Sequence, residues 1–177
     1  MSIRPGDPAP ALELVDTAGA PHTLPLPGEA PATAIVWTCN HCPYALAWHE
    51  RIQQVARDYA DRGVRFLQVS SNDSARYPAD SLERMRARVE SGEFASPYLH
   101  DSGQDAARAY GALKTPHVFV LDADLRLAYL GAPDADYQDE SQNAEWLRSA
   151  LDAVLAGRSP DRAETEPVGC SIKWRER

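Results

Sequence analysis

The feature that most constrains the fold is a cysteine pair in the stretch AIVWTCNHCPYALAWHE, residues 34–50. Residues 33–37 form an apolar run without alternation, which is typical of a strand buried on both faces. Over 43–61, apolar residues recur at helical spacing. A strand that passes directly into a helix predicts an α/β fold, with Cys39 and Cys42 at the junction of the two elements.

Apolar periodicity predicts further elements along the chain. Two N-terminal pieces, ALELVD and HTLPLP, predict short edge strands around the turn TAGAP. Strands are then expected at 64–70, 97–101, 117–122 and 125–131, and helices at 81–91, 104–112 and 140–157. The last two strands are expected to form a hairpin with the two-residue turn Ala123–Asp124. Long crossovers imply a parallel sheet centre, so the predicted fold is α/β with a central mixed sheet flanked by helices.

Length suggests the domain organisation. A chain of 177 residues fits one globular domain, which we expect to span 1–157, followed by a C-terminal arm at 158–177. A wholly disordered arm would not need the apolar residues Ile172 and Trp174. We therefore expect the arm to fold back on the domain, with Trp174 as its anchor.

Composition argues against several classes of protein. A net charge of −8 makes nucleic acid an unexpected partner. No run of 18 or more apolar residues is present, and the proline-rich start lacks the apolar stretch of a secretory signal. We therefore expect a cytoplasmic protein that neither spans a membrane nor uses its three cysteines as a structural disulfide framework.

The spacing of Cys39 and Cys42 permits a redox couple. Residues three apart on a helix have Cβ atoms within roughly 5–6 Å, which is compatible with a disulfide. The positive end of the helix dipole favours a thiolate, and Pro43 suits a first helical turn because it has no N–H to satisfy. We expect Cys39, nearer the solvent, to be a nucleophile of lowered pKa and Cys42 to be the resolving thiol. His41 adds positive charge near the thiolate when it is protonated.

A metal site and inert packing are the alternatives for such a pair. Structural zinc needs four ligands, whereas the sequence offers one further cysteine, Cys170, scattered histidines and no second CxxC. We expect no metal and no cofactor. A non-enzymatic metal-binding or chaperone-like module that uses Cys39, Cys42 and a histidine is kept as a third hypothesis.

The dipeptide Thr115-Pro116 is the second candidate element of the site. It stands directly before the apolar strand HVFVLD, where a proline is tolerated because it cannot join a central ladder. A cis Thr-Pro bond would suit a tight turn packed against the cysteines, and an ordinary trans proline is the alternative.

The stretches CNHCPY (39–44), SSND (70–73), YPADS (77–81), KTPHVFVLD (114–122) and GCSIKW (169–174) carry a family resemblance. They resemble the thioredoxin-like redoxins, specifically the peroxiredoxin-like branch of the alkyl hydroperoxide reductase and thiol-specific antioxidant superfamily. The resemblance implies a thioredoxin-like fold, here enlarged by an N-terminal hairpin and a strand-helix insertion. It also implies a cis-proline at Pro116 and a dithiol site at Cys39 and Cys42.

Two departures bear on the activity that the resemblance implies. Peroxiredoxins carry a threonine three residues before the reactive cysteine, where this chain has Val36. Thioredoxins carry a buried acid six residues before the first cysteine, where this chain has Thr33, so the proton acceptor for Cys42 is not identified. We expect a thiol–disulfide oxidoreductase, with a thiol-dependent peroxidase as the alternative. In the peroxidase, Cys39 would be oxidised to a sulfenic acid that condenses with Cys42 or Cys170.

The expected partners follow from this chemistry. The substrate would be a disulfide-containing protein, a small thiol or a peroxide, and an external dithiol would regenerate the protein. Cys170 is a possible third redox thiol, because an arm that folds back could bring it to the pair as a resolving thiol or a lid.

Overall fold

The structure is a computed structural model that describes residues 2–24 and 30–176. Within these residues the α-helices are α1 (Pro43–Ala60), α2 (Leu82–Glu90), α3 (Asp105–Tyr110) and α4 (Glu145–Leu155). The strands are β1 (Leu12–Asp16), β2 (Pro21–Leu24), β3 (Thr33–Trp37), β4 (Arg65–Ser70), β5 (Tyr98–His100), β6 (Lys114–Thr115), β7 (His117–Leu121), β8 (Leu127–Gly131) and β9 (Cys170–Ser171). A short 3-10 helix, Pro78–Asp80, precedes α2. No helix in the described ranges has the length and apolar character that crossing a membrane requires.

One mixed sheet forms the centre of the molecule, with the strand order β2-β1-β5-β4-β3-β7-β8. β3, β4 and β5 are parallel neighbours, whereas β7 and β8 add antiparallel strands on the other side of β3. The predicted α/β class and its mixed sheet are therefore confirmed. The β1–β2 hairpin is present, and β5 with α3 forms the strand-helix insertion before β7. β6 and β9 form a separate two-stranded sheet.

Packing on both faces of the sheet explains why β3 is buried throughout and almost wholly apolar. Ala34 and Val36 belong to the core beneath α1 and α4, whereas Ile35 and Trp37 belong to the core beneath α3. Full burial of a large apolar side chain stabilises the fold by about 1.5–3 kcal/mol. Packing thereby fixes the position of the central strand from both sides, and with it the start of the segment that carries Cys39 and Cys42.

The β7–β8 turn is longer than the predicted two-residue turn Ala123–Asp124. The carboxylate of Asp122 accepts the N–H groups of Asp124 and Arg126, and Leu125 takes the left-handed conformation with φ 61°. These local bonds hold residues 122–126 in the turn, so the prediction of a two-residue turn is wrong.

Two other predictions also differ from the structure, namely the start of α4 and the position of β1 in the sheet. α4 begins at Glu145 and not at residue 140, because Ala144 has a left-handed φ of 54° and donates its N–H to Asp134 Oδ2. β1 is not an edge strand, since it pairs with β2 on one side and with β5 on the other. The predicted piece HTLPLP continues into residues 25–27, which lie outside the described residues.

His117 is a buried histidine in β7, next to Pro116. Its Nδ1 accepts the N–H of Leu113, whereas its Nε2 is buried without a hydrogen-bond partner in the described residues. Burial lowers the pKa of His117 to about 4, because the imidazolium would lose its hydration. His117 is therefore neutral in the folded protein near pH 7.

Acid is expected to destabilise the protein through His117. Above pH 6.5 the residue is neutral in both states, but between pH 6.5 and 4 the unfolded chain binds a proton that the folded chain rejects. The resulting loss at pH 4.5 is about 2–3 kcal/mol of unfolding free energy. Urea unfolding at pH 7 and pH 4.5 measures it, with His117→Asn as the comparison. An equal loss in both proteins would contradict this prediction.

Candidate active site

Cys39 and Cys42 lie where β3 passes into α1. Cys42 is the residue before the helix, with an extended backbone (φ −68°, ψ 124°), and Pro43 is the first helical residue. Pro43 fits there because an N–H at this position would have no partner within the helix. All three cysteines are free thiols in the structure.

Thr115 contacts both sulfur atoms of the pair. The Cys42 thiol donates to Thr115 O over 3.2 Å, and Thr115 Oγ1 lies 3.6 Å from Cys39 Sγ. The Cys42 N–H donates to Cys39 Sγ over 3.3 Å. The peptide bond between Thr115 and Pro116 is cis. The structure thus brings the sequence-predicted residues of the two motifs into one cluster.

A hydrogen bond between the two thiols separates their pKa values. It lowers the pKa of Cys42 to about 4, against the effect of burial. The same bond, burial and the Asp80 carboxylate raise the pKa of Cys39. The expectation of a lowered pKa at Cys39 is wrong here, because these effects outweigh the helix dipole.

The pair therefore shares one proton near neutral pH. A proton on Cys42 can be donated to Thr115 O, while a charge on Cys39 accepts the Cys42 N–H. Passage of the shared proton from Cys39 to Cys42 thus leaves Cys39 as a hydrogen-bonded thiolate, the form that attacks disulfides.

Both sulfurs of the pair are buried. Cys39 is 1% exposed and Cys42 is fully buried, whereas the sequence led us to expect Cys39 near the solvent. The difference arises because the C-terminal segment lies over the pair. Cys170 packs against Cys39 and Cys42 in one small cluster. The C-terminal segment thus shields both sulfurs from solvent.

The segment that covers the pair is β9, which runs antiparallel to β6. Thr115 is paired with Cys170 in this short sheet. The approach is so close that a Cβ atom on Gly169 would lie 2.1 Å from Thr115 O. The Cys170 thiol also hydrogen-bonds the Cys42 thiol. Burial, followed by that hydrogen bond, raises the pKa of Cys170 to about 11.

Two buried amide side chains hold the segment after β9 in place. Asn72 Oδ1 accepts the N–H of Lys173 over 2.8 Å, and Gln104 Nε2 donates to Lys173 O over 2.9 Å. The expected anchor, Trp174, is partly buried, with the guanidinium of Arg108 4.5 Å from its ring. Sequence reasoning missed the role of Gln104, since nothing in the pattern around it signals a contact with the arm.

Asp80 is a buried carboxylate beside the cysteines that sequence reasoning also missed. Its Oδ1 accepts the N–H of Asn40 over 2.7 Å, and its Oδ2 accepts from Asn72 Nδ2 over 2.9 Å. His41 Nδ1 lies 2.5 Å from the same Oδ2. The signal that could have found Asp80 is its place in the stretch YPADS, one of those that carry the family resemblance.

The same residues are the candidate donors for a metal ion. In the part of the chain that the structure describes, one donor atom each from Cys39, His41 and Asp80 lie within 4.8 Å of one another. Both oxygens of Asp80 already accept hydrogen bonds, which favours a role for this carboxylate within the protein. The expectation that the site uses no metal stays a prediction.

The fold and the thiol cluster define a thioredoxin-like redoxin. Residues 5–130 match the sequence model of the AhpC/TSA family, so the chain belongs to this family. No curated protein sequence matches the chain.

Solved structures extend the comparison over nearly the whole chain. A hypothetical protein of Sinorhizobium meliloti is 35% identical, with 99% of this chain and 97% of that chain covered and a TM-score of 0.91. An uncharacterized conserved protein of Geobacillus kaustophilus is 36% identical, with coverage of 97% and 92% and a TM-score of 0.91. A thiol:disulfide interchange protein of the thioredoxin family from Chlorobium tepidum shares the fold at 19% identity, with coverage of 82% and 97% and a TM-score of 0.61.

Proposed function

We propose that this protein is a thiol–disulfide oxidoreductase with Cys39 as nucleophile and Cys42 as resolving thiol. The observation that carries the proposal is the arrangement of two free thiols at the start of α1, where the Cys42 N–H donates to Cys39 Sγ and Thr115 contacts both sulfurs. A thiol that accepts a backbone N–H beside a partner of lowered pKa is suited to exchange chemistry. Membership of a redoxin family supports the same reading.

The proposed cycle consists of two exchange steps. Cys39 thiolate attacks one sulfur of a substrate disulfide, which forms a mixed disulfide and releases the first substrate thiolate. Cys42 then loses its proton and attacks Cys39 Sγ, which forms the Cys39–Cys42 disulfide and releases the second thiolate. The substrate gains two electrons and the dithiol loses two. An external dithiol then reduces the protein by the reverse exchange.

Residues 158–177 act in this proposal as an arm on the redoxin domain of residues 1–157. The pairing of Cys170 with Thr115 and its thiol contact with Cys42 support a role for Cys170 as a third redox thiol or a lid. The substrates are disulfide-bearing proteins or small disulfides, in a reducing compartment such as the cytoplasm.

A thiol-dependent peroxidase is the second candidate, favoured by the match to the AhpC/TSA family. Val36 occupies the position where peroxiredoxins carry threonine, and its side chain is buried in the core beneath α1 and α4. Thr115 Oγ1 is the hydroxyl nearest Cys39 in the described contacts. Stopped-flow mixing with hydrogen peroxide separates the two functions, because a poised peroxidase oxidises much faster than an ordinary thiol.

Trapping with Cys42→Ser tests the proposed oxidoreductase. Without the resolving thiol, the mixed disulfide between Cys39 and a substrate should accumulate. With insulin as substrate, we expect a covalent adduct in the mass spectrum that dithiothreitol removes. The double variant Cys42→Ser, Cys170→Ser checks that Cys170 does not resolve the adduct.

The matched control for this trap is Cys39→Ser, which keeps Cys42 and should form no adduct. An adduct on Cys42 in that variant, or none in either Cys42→Ser protein, would overturn the proposed roles of the two thiols.

A further inference from the structure

Asp80 is a buried carboxylate whose neighbours are mostly fixed donors. The backbone N–H of Asn40 and the side-chain amide of Asn72 donate to it and do not ionise at ordinary pH. The imidazole of His41 is the third neighbour. Of these three groups, His41 is the one whose side chain is of the type that enzymes use as a general acid or base.

The imidazole of His41 is held from two sides. His41 Nδ1 lies 2.5 Å from Asp80 Oδ2, an ion-pair distance at which a protonated ring is stabilised by the carboxylate, although the geometry is not that of a hydrogen bond. The ring stacks on Tyr77, with centroids 5.7 Å apart and planes 5° from parallel. The His41 side chain is 30% exposed, although Nδ1 itself is buried. The ring is thus held between Tyr77 and Asp80 and is still partly in contact with water.

Cys39 lies next to this pair, since its Sγ is within 4.8 Å of a ring nitrogen of His41 and of an Asp80 oxygen. When Cys39 attacks a disulfide, the leaving sulfur departs in line with the new S–S bond and carries the negative charge. We propose that His41 is the general acid of the site, donating a proton to that leaving thiolate, and that Asp80 is the residue that positions His41. The inference rests on the proposed thiol–disulfide exchange.

The step balances as follows. Cys39 thiolate and a disulfide RS–SR′ react with protonated His41 to give the mixed disulfide of Cys39 with RS, the thiol R′SH and neutral His41. The S–S bond of the substrate breaks, the Cys39–S bond forms, and the proton on R′SH comes from the imidazole. Water restores the proton through the exposed part of the ring. In the reverse direction, neutral His41 takes the proton from an incoming thiol.

Charged and titratable side chains from other elements contact Asn40 and Tyr77, which lie beside the His41–Asp80 pair. From α2, Arg88 Nη1 donates to Asn40 Oδ1 over 3.0 Å, and from β5 the Tyr98 hydroxyl donates to the same atom over 2.9 Å. From the arm, Lys173 Nζ lies 5.8 Å from the Tyr77 ring centroid. These contacts hold the loop that carries His41.

The dependence of rate on the leaving thiol tests the proposal. Reduced protein is mixed in single-turnover experiments with 5,5′-dithiobis(2-nitrobenzoate), whose aromatic thiolate leaves without a proton, and with hydroxyethyl disulfide, whose alkyl thiolate is a strong base. For His41→Gln we expect the alkyl rate to fall about 100-fold. The aromatic rate should stay within about threefold of wild type, which also shows that the variant is folded.

Two further variants distinguish a role of Asp80 in positioning His41 from a general effect of removing a buried carboxylate. Asp80→Asn should lower the ratio of the alkyl to the aromatic rate as His41→Gln does, because the imidazole loses its partner, while loss of the charge that raises the pKa of Cys39 changes both rates together. Asp101→Asn removes another buried carboxylate, which accepts the Ser71 hydroxyl and the Ala107 N–H, and should leave the ratio of the two rates unchanged. If His41→Gln lowers both rates equally or neither, the acid role of His41 is wrong. If wild type reduces neither disulfide, the proposed function itself fails.

Discussion

Replacing Cys39 with serine is expected to lower the rate of disulfide reduction by about 10³-fold or more, because a hydroxyl cannot supply the sulfur nucleophile at neutral pH. Serine has nearly the same shape, so the contacts with Thr115 Oγ1 and the Cys42 N–H can be kept. The measurement is the rate of insulin reduction with dithiothreitol as reductant, corrected for the rate without protein.

A folded but inactive variant is the expected outcome, and thermal unfolding of Cys39→Ser should match that of wild type within a few degrees. Retention of more than about a tenth of the wild-type rate would rule out Cys39 as the required nucleophile.

Asp134→Ala is expected to cost about 3–5 kcal/mol of unfolding free energy, since it leaves a nearly buried cation without its partner. Asp134 is fully buried and accepts from Trp48 Nε1 over 2.8 Å and from Arg51 Nη1 over 3.0 Å. It also accepts the N–H of Ala144, directly before α4. One carboxylate thus joins α1, which begins beside Cys42, to α4. Guanidinium unfolding measures the loss.

The matched control is an exposed ion pair on α1, the helix that carries Arg51. Glu50 pairs with Arg57 on α1, but its side chain is 79% exposed, so Glu50→Ala should cost less than about 1 kcal/mol. Similar losses for the two variants would mean that the buried ion pair does not hold α1 and α4 together. Asp134→Asn should fall between them, because it keeps an acceptor for Trp48 and loses the charge.

The fold could be predicted from the sequence because its signals are local. The apolar run of β3 and the helical spacing of α1 depend on neighbours a few residues away, and both elements are where the pattern placed them. The start of α4 could not be predicted in this way. It depends on the left-handed Ala144 and on its bond to Asp134, a tertiary contact that no periodicity reveals.

In the candidate site, too, the features with local sequence signals could be predicted and those that depend on tertiary contacts could not. Cys39, Cys42 and Thr115 belong to short motifs, and their mutual contacts agree with what those motifs imply. The raised pKa of Cys39 depends on its hydrogen bond with Cys42, on burial and on Asp80, which comes from the short 3-10 helix between β4 and α2. A lone aspartate in a polar loop gives no sign of being buried, so its effect on the thiol could not be foreseen.

Glycine at position 169 is required by a neighbour and not by its own backbone angles. The space that a methyl group would need is filled by the carbonyl of Thr115, the same atom that accepts from the Cys42 thiol. A single added carbon at position 169 would therefore displace β9, and Cys170 with it, while Cys39 and Cys42 themselves stay unchanged. Shielding of the thiol pair in this molecule thus depends on a residue that carries no side chain.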